Sequence, residues 1–561
     1  MVINLIKIYL FFEKYRKNIK LKIYLYYIVS FVSNISSLLI PYLTMQLINQ
    51  IEAYNLKSFL YVSLGMVVVM IIFCFSLSLG YYLENYINTY CLNELKKDLI
   101  NKSFSMTYNS SKYLNMGKFI QRIFDDTTVV TPLIVSMYAN VLLDIFYVIA
   151  VIVIMGSMNS ILTVIILILI PIFILFYKIY IPYIEKTSKD VLVIDEELKN
   201  LSEEALNGQI DIKVNNASKF INLRLQNKLN TYLKVTMKKI KYLMQYDYIL
   251  ITSIMNIGTI SMYCFGGYLV FKNVITIGTM IAFTLYFSRL WSPLEYFMNL
   301  SKEIKIQKIS LNRINELLNL EDEDLIIKNE LPEFNQLKIE NLTFSYGTKN
   351  ILNSLNLIIN KNDKIAIKGG NGSGKSTLSN IIVKLLDYKI GDIYYNNINY
   401  KSLNSGEIRK KIILIPSEVF MFDCTIKENI VLNTDNKCDI NKFNKFLSQK
   451  DIKPLINIFN LNNLNLSTRV SNNSNNVSGG EKKIIQILRG LFLSGDIYIL
   501  DEPLNYIDKK YKRIFIDFIK KNLANKTLII ISHDEEIFEC CNKIYEINKG
   551  YIKKYKNERN M

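Results

Sequence analysis

Apolar residues are spread unevenly along the chain, and their spacing changes once, near the middle. Over roughly the first 300 residues they gather in long runs with few charges; from about Leu337 they come as short apolar stretches alternating with polar, helix-like ones. The second regime is that of an α/β domain. In the first, six runs reach the roughly 20 apolar residues that a helix needs to cross a bilayer core: Ile23 to Ile48, Phe59 to Tyr82, Val130 to Met155, Ile161 to Tyr180, Tyr248 to Phe271 and Ile275 to Leu300. The connections inside each successive pair are short. Residues 90–129 and 183–246 are long by contrast and rich in lysine, including Lys96, Lys97, Lys102, Lys186, Lys189, Lys238 and Lys239. The positive-inside rule puts both on the cytoplasmic side, and an even number of spans puts both chain ends there too.

The first 22 residues, "MVINLIKIYLFFEKYRKNIKLK", mix apolar and basic positions at helix-like spacing without the order of a signal peptide. An interfacial helix is expected there. Four segments result: an N-terminal helix over 1–22, a six-span membrane domain over 23–310, a linker over 311–336 and a soluble domain over 337–561. Asp144 and Arg289 fall inside spans, where a charge costs about 2.5–3.5 kcal/mol on insertion scales. Two readings stand: the pair lines a cargo path, or the two side chains pair with each other or snorkel.

Composition adds little beyond this. A formal charge of +18 would fit nucleic acid, but the lysines are scattered among Asn, Ile and Tyr, so no nucleic-acid partner is expected. The seven cysteines are dispersed except for Cys540 and Cys541, without the spacing of a disulfide framework or zinc site.

Candidate chemistry sits in the second half. "GGNGSGKST", Gly369 to Thr377, places Gly369, Gly374, Lys375 and Ser376 in the order G-x-x-x-x-G-K-[ST], after the strand-like "KIAIK" and before the helix-like "TLSNIIVKLL". Backbone N–H groups of Gly370, Asn371, Gly372 and Ser373 would curl round phosphates, Lys375 would reach the outer ones, and the Ser376 hydroxyl would hold Mg²⁺. "DIYILDEP" then ends a strand on Asp501 and Glu502, the first suited to a metal and the second to a water. "VSGGE" opens a helix with Ser478, Gly479 and Gly480, and the single histidine of the chain, His533, follows the strand "TLIII".

Phosphate loop, Ser-Gly-Gly helix start, Asp-Glu strand end and Ser-His strand end, in that order, resemble the nucleotide-binding domain of ABC transporters. With six preceding spans, the chain is similar to an ABC exporter half-transporter over nearly its whole length. The resemblance implies a six-helix transmembrane domain followed by an α/β P-loop NTPase, with ATP and Mg²⁺ as cofactors. It makes Glu502 the hydrolytic base, His533 the switch residue at the γ phosphate, Tyr346 the ring on adenine and Asp508 the loop aspartate that communicates across a dimer. Ser478, Gly479 and Gly480 become the signature that closes over a partner's ATP. "GKFIQRIFDD", through Gly117, Arg122 and Asp126, and "SEEALNGQIDIK", through Glu204 and Gly208, resemble the two loops that end in coupling helices.

The chain departs from the pattern at several places. Ser417 stands where the family has its lid glutamine and is too short for that reach; Val477 and Glu481 replace Leu and Gln around the signature; Asn472, Ser474 and Asn505 are further changes. The implied function is ATP-driven export across the cytoplasmic membrane by a dimer, with a second half-transporter, itself or a homologue, membrane lipid and the cargo as partners. Membrane domain first and ATPase second favours export, and the early first span speaks against an N-terminal Cys/His peptidase domain. A bacteriocin-like peptide or a lipophilic molecule is the cargo expected. The alternatives are an ATP-binding regulator or immunity component with little pumping, and the degenerate half of a heterodimeric exporter.

Overall fold

A computed structural model describes residues 11–113, 116–131, 136–323, 331–432, 438–449, 452–453, 455–457, 465–472 and 476–555. Residues 1–10 of the expected interfacial helix, 324–330 of the linker and Ser474 lie outside this set. The chain forms two compact units, one of Met1–Ile100 with Gly117–Leu317 and the other of Asn101–Met116 with Leu318–Met561.

The first unit is helical. Its long helices are α1 (Lys20–Glu52), α2 (Leu56–Ser105), α3 (Ser136–Met158), α4 (Ser160–Asn207), α5 (Ser218–Met244), α6 (Thr252–Phe271) and α7 (Ile277–Leu318). A π-helical stretch, Gln245–Ile251, joins α5 to α6. Among the described residues five helical stretches are long and apolar enough to cross a membrane: Glu13–Glu52, Leu56–Ser105, Asn140–Met158, Ser160–Asn207 and Ser218–Phe271. The sixth expected run lies in α7, which carries Arg289 and Glu295 and is not in that set. Leu64, Val68, Ile71 and Phe75 are exposed along α2, an apolar outer face that water would not tolerate at this scale.

Leu38, Tyr147, Val151, Leu162, Met262, Phe283 and Tyr286 form a buried cluster between helices. Close approach of α6 and α7 depends on Gly258, because a Cβ there would lie 2.3 Å from the Phe287 ring. Arg289 donates to the Ser37 carbonyl and hydroxyl, both at 2.5 Å, and the Ser37 hydroxyl is 3.1 Å from that of Tyr147. Among the described residues Asp144 and Arg289 form no ion pair with each other, so pairing between them does not account for these charges. Asp126 is buried; Ser310 donates to it at 2.7 Å and Arg313 lies 3.6 Å away, while Arg122 bonds Glu316 at 3.0 Å.

In the second unit a mostly parallel sheet runs in the order β10-β9-β3-β8-β7-β6, with β3 (Lys364–Lys368), β6 (Ile412–Ile415), β7 (Ile497–Asp501), β8 (Thr527–Ile531), β9 (Lys543–Asn548) and β10 (Tyr551–Lys554). Every residue of β7 and β8 is buried, which is why they read as unbroken apolar runs. A smaller antiparallel sheet is built from β1 (Gln336–Tyr346), β2 (Lys349–Asn360), β4 (Ile390–Tyr395) and β5 (Ile398–Asn399), in the order β2-β1-β4-β5. Leu337, Ile339, Ile365, Ile381, Ile393 and Ile529 share one core that welds the two sheets. The 101–116 segment belongs here through Asp322, which takes Lys102 at 2.8 Å and the Ser105 hydroxyl at 2.5 Å.

Candidate active site

Parallel pairing levels the carboxyl ends of neighbouring strands: Ile531 pairs with Asp501 on one side and with Ile367 on the other. The loops that follow β3, β7 and β8 therefore leave the same edge of the sheet side by side, where α/β sheets usually place their ligands. The phosphate loop leaves β3 and runs into helix α8 (Lys375–Ile382). Gly374 has φ +106, and a Cβ there would lie 2.7 Å from Leu352, so only glycine turns the corner.

Lys375 is buried and folds back on the loop, donating to the carbonyls of Gly369 at 2.8 Å and Gly370 at 3.0 Å; His533 Nε2 is 3.3 Å from its Nζ. Burial pushes the Lys375 ammonium below the usual lysine range, and the Glu502 and Asp501 carboxylates pull it back. The Ser376 hydroxyl donates to Asp501 at 3.0 Å. Burial raises the Asp501 carboxyl above the usual range, Glu502 adds to this, and the Ser376 bond with the Lys483 and Lys375 charges opposes it.

Glu502 turns off the strand with φ +45, a left-handed conformation that costs energy in a non-glycine residue. Its N–H donates to the Ile531 carbonyl at 2.8 Å; its Oε2 accepts from the Ser532 hydroxyl at 3.3 Å and from the His533 N–H at 3.4 Å; His533 Nε2 lies 3.6 Å from its Oε1. Lys375, Ser376, Asp501, Glu502 and His533 are thus brought together. Tyr346 ends β1 half exposed, with its ring at right angles to Phe344.

The donor set fits a magnesium nucleoside triphosphate. The Ser373 hydroxyl in the loop is buried and without a hydrogen-bond partner among the described residues, as a phosphate-binding donor would be. The Ser376 hydroxyl and Asp501 carboxylate are hard oxygens of the kind Mg²⁺ takes.

The remaining expected residues stand elsewhere. Ser478 caps α9 (Gly479–Phe492) in a capping box: its hydroxyl accepts the Glu481 N–H at 3.3 Å, and Glu481 reaches back to the Ser478 N–H at 2.7 Å and hydroxyl at 2.9 Å. The Glu481 departure is thus an ordinary capping residue. Gly479 and Gly480 face Tyr506, and a Cβ on Gly480 would lie 2.5 Å from the Tyr506 carbonyl. Gly480→Ala is expected to push the backbone at 506–507 off the helix start, at the roughly 1–3 kcal/mol of an overpacked contact. Faster amide exchange over 504–508 with ATP binding intact is the check. Asp508 is exposed at the start of α10 (Lys509–Asn522) without a side-chain cap bond.

Two residues were not foreseen from the sequence. Ser532 is fully buried and steadies Glu502; its place beside His533 was the signal. Lys483 on α9 is fully buried and donates to the carbonyls of Pro416 at 2.8 Å, Ser417 at 3.3 Å and Asp501 at 3.5 Å. Burial brings its pKa down to about 8, against the pull of Asp501 and Glu502.

Comparison with known proteins agrees with this architecture. Residues 23–294 match the family described as ABC transporter transmembrane region, and residues 352–505 the family described as ABC transporter. The Lactococcin-G-processing and transport ATP-binding protein LagD of Lactococcus lactis is 25% identical over 377 residues, 66% of this chain and 52% of that protein. The Microcin-J25 export ATP-binding/permease protein McjD of Escherichia coli is 27% identical, with 63% and 60% covered. An ATP-dependent lipid A-core flippase of Desulfotalea psychrophila is 25% identical, with 64% and 62% covered. The matched stretch is about half the length of the lactococcin relatives. A bacterial Atm1-family ABC exporter, solved with ATP bound, has a similar fold, with TM-score 0.76 at 17% identity over 95% of this chain and 94% of that one.

Proposed function

From a chain that belongs to the ABC transporter family in both its transmembrane region and its ATPase domain, as an exporter-type half-transporter, we propose that it hydrolyses ATP to drive export across the cytoplasmic membrane as a dimer. The observation that carries this reading is the cluster in which Lys375, Ser376, Asp501, Glu502 and His533 converge.

In this reading Lys375 and the loop N–H groups hold the phosphates, with Tyr346 on the base. Ser376 and Asp501 hold Mg²⁺, which supplies charge neutralisation at the outer phosphates. Glu502 orients and deprotonates the attacking water, and His533 stands where it donates to the γ phosphate. Ser478, Gly479, Gly480 and Asp508 act on the ATP held by a second half-transporter, so each site is completed across the dimer. ATP then drives the membrane region only through its greater affinity for the closed dimer. Helix α7 serves as the sixth span, which keeps both termini and the ATPase cytoplasmic.

Cargo in this reading is a peptide or a lipophilic molecule. The relatives whose names carry lactococcin, microcin and lipid A-core support both, and Arg289 with the Tyr147 and Ser37 hydroxyls offers a polar contact inside a span. The test is Mg-ATPase activity of the chain purified alone and reconstituted in lipid. Steady turnover stimulated by a peptide or lipid is the expected result. ATP binding without turnover would overturn self-sufficient pumping and favour the regulator or degenerate-half readings, to which Ser417 lends weight.

A further inference from the structure

Three side chains on one face of α9, spaced three residues apart, hang the backbone of the lid loop. Lys483 takes the carbonyls of Pro416 and Ser417, Gln486 takes that of Glu418 at 2.7 Å, and Arg489 takes that of Phe420 at 3.3 Å. Such a row of donors ties the backbone of residues 416–420 to the helix. Lys483 alone does more, since its Nζ also lies 3.5 Å from the Asp501 carbonyl, at the end of the strand that carries the metal and water residues.

A fully buried ammonium is costly unless its hydrogen bonds are met, and here they are met where two paired strands end, Ile415 of β6 lying opposite Leu500 of β7, so that Lys483 carries the tie on past the last ladder pair. Ser417 has no side chain long enough to span from the lid to the catalytic carboxylates. We propose that Lys483 is the positioning residue that replaces that reach: it fixes the lid backbone against the Asp501–Glu502 strand end, so that hydrolysis depends on lid position through Lys483 and not through the side chain at 417. The proposal rests on ATP hydrolysis at this site, as set out above. In this role Lys483 acts through the three backbone carbonyls it holds.

The test uses the full chain reconstituted in lipid, with Lys483→Met and Lys483→Arg each made alone and with Ser417→Gln. Lys483→Met is expected to lower kcat about tenfold or more, with KM for ATP within about threefold. Lys483→Arg is expected to keep at least half of kcat, and Ser417→Gln to recover most of the loss in Lys483→Met, a non-additive pair. A kcat for Lys483→Met within twofold of the parent overturns the proposal. So does a loss that Ser417→Gln leaves unchanged, which would mark Lys483 as a packing residue only.

A second measurement needs neither hydrolysis nor a folded variant. On binding ATP, backbone amides of residues 417–420 and 501–502 of the unaltered chain are expected to gain exchange protection together; independent changes would overturn the tie. An unaltered chain that turns over no faster than Glu502→Gln would defeat the hydrolysis reading instead, and leaves the exchange measurement to judge the tie alone.

Discussion

Glu502→Gln is expected to bind ATP as tightly as the unaltered chain and to lose turnover by about 10²- to 10⁴-fold, the range for removing a general base. The side chain is held in place: its backbone is turned by a positive φ and pinned to Ile531, and Ser532 and the His533 N–H both donate to one carboxylate oxygen. Glutamine keeps the size and the accepting oxygen, so the cluster keeps its shape and loses only the basic group. With ATP bound and unspent, the closed dimer should accumulate, visible as a nucleotide-dependent shift to the dimer in crosslinking between two copies. Normal turnover in this variant would remove Glu502 from the role of base.

The second large effect is expected from Lys375→Ala, and it falls on binding. A hydrogen bond to a charged group contributes about 1.5–3 kcal/mol, and each 1.4 kcal/mol is tenfold in affinity, so ATP should bind about 10- to 100-fold more weakly. Loop geometry should suffer as well, because Lys375 is the donor that closes on the Gly369 and Gly370 carbonyls. Equilibrium binding of a fluorescent ATP analogue is the measurement. Unchanged affinity would mean that the backbone N–H groups and Ser373 suffice. The two variants separate cleanly: one binds without turnover, the other fails before chemistry begins.

How much of this was legible depended on how tightly chemistry ties residue to position. Phosphate binding needs a glycine turn, a lysine and a hydroxyl at fixed spacing between a strand and a helix, so Gly369 to Thr377 stood out as the candidate. Strand ends are equally legible, because β7 and β8 are buried on both faces and read as continuous apolar runs that stop at Asp501 and Ser532. Helix lengths were less so. Hydropathy marks only the part of a helix that meets lipid, so the run Phe59 to Tyr82 gave no sign that α2 continues to Ser105. Nor did it show that the helix entering the fifth span begins near Ser218 and passes through a π-helical turn. Lys483 was hidden for a different reason. Beside Lys482 it looks like one of the scattered surface lysines, and only its place three residues before Gln486 and four before the buried Ile487 hints that it faces inward.

The capping box at the start of α9 bears on the pairing of half-transporters proposed above. The Ser478 hydroxyl is already engaged by the Glu481 carboxylate, which is itself buried. A partner's triphosphate arriving at this helix start would meet a serine whose proton is spoken for and a negative charge directly behind it, partly offsetting the attraction of the helix N-terminus for anions. Engagement would then begin by turning one hydroxyl away from its own helix. Such a step would add a small local cost to closure, set by the side chain of Glu481 alone.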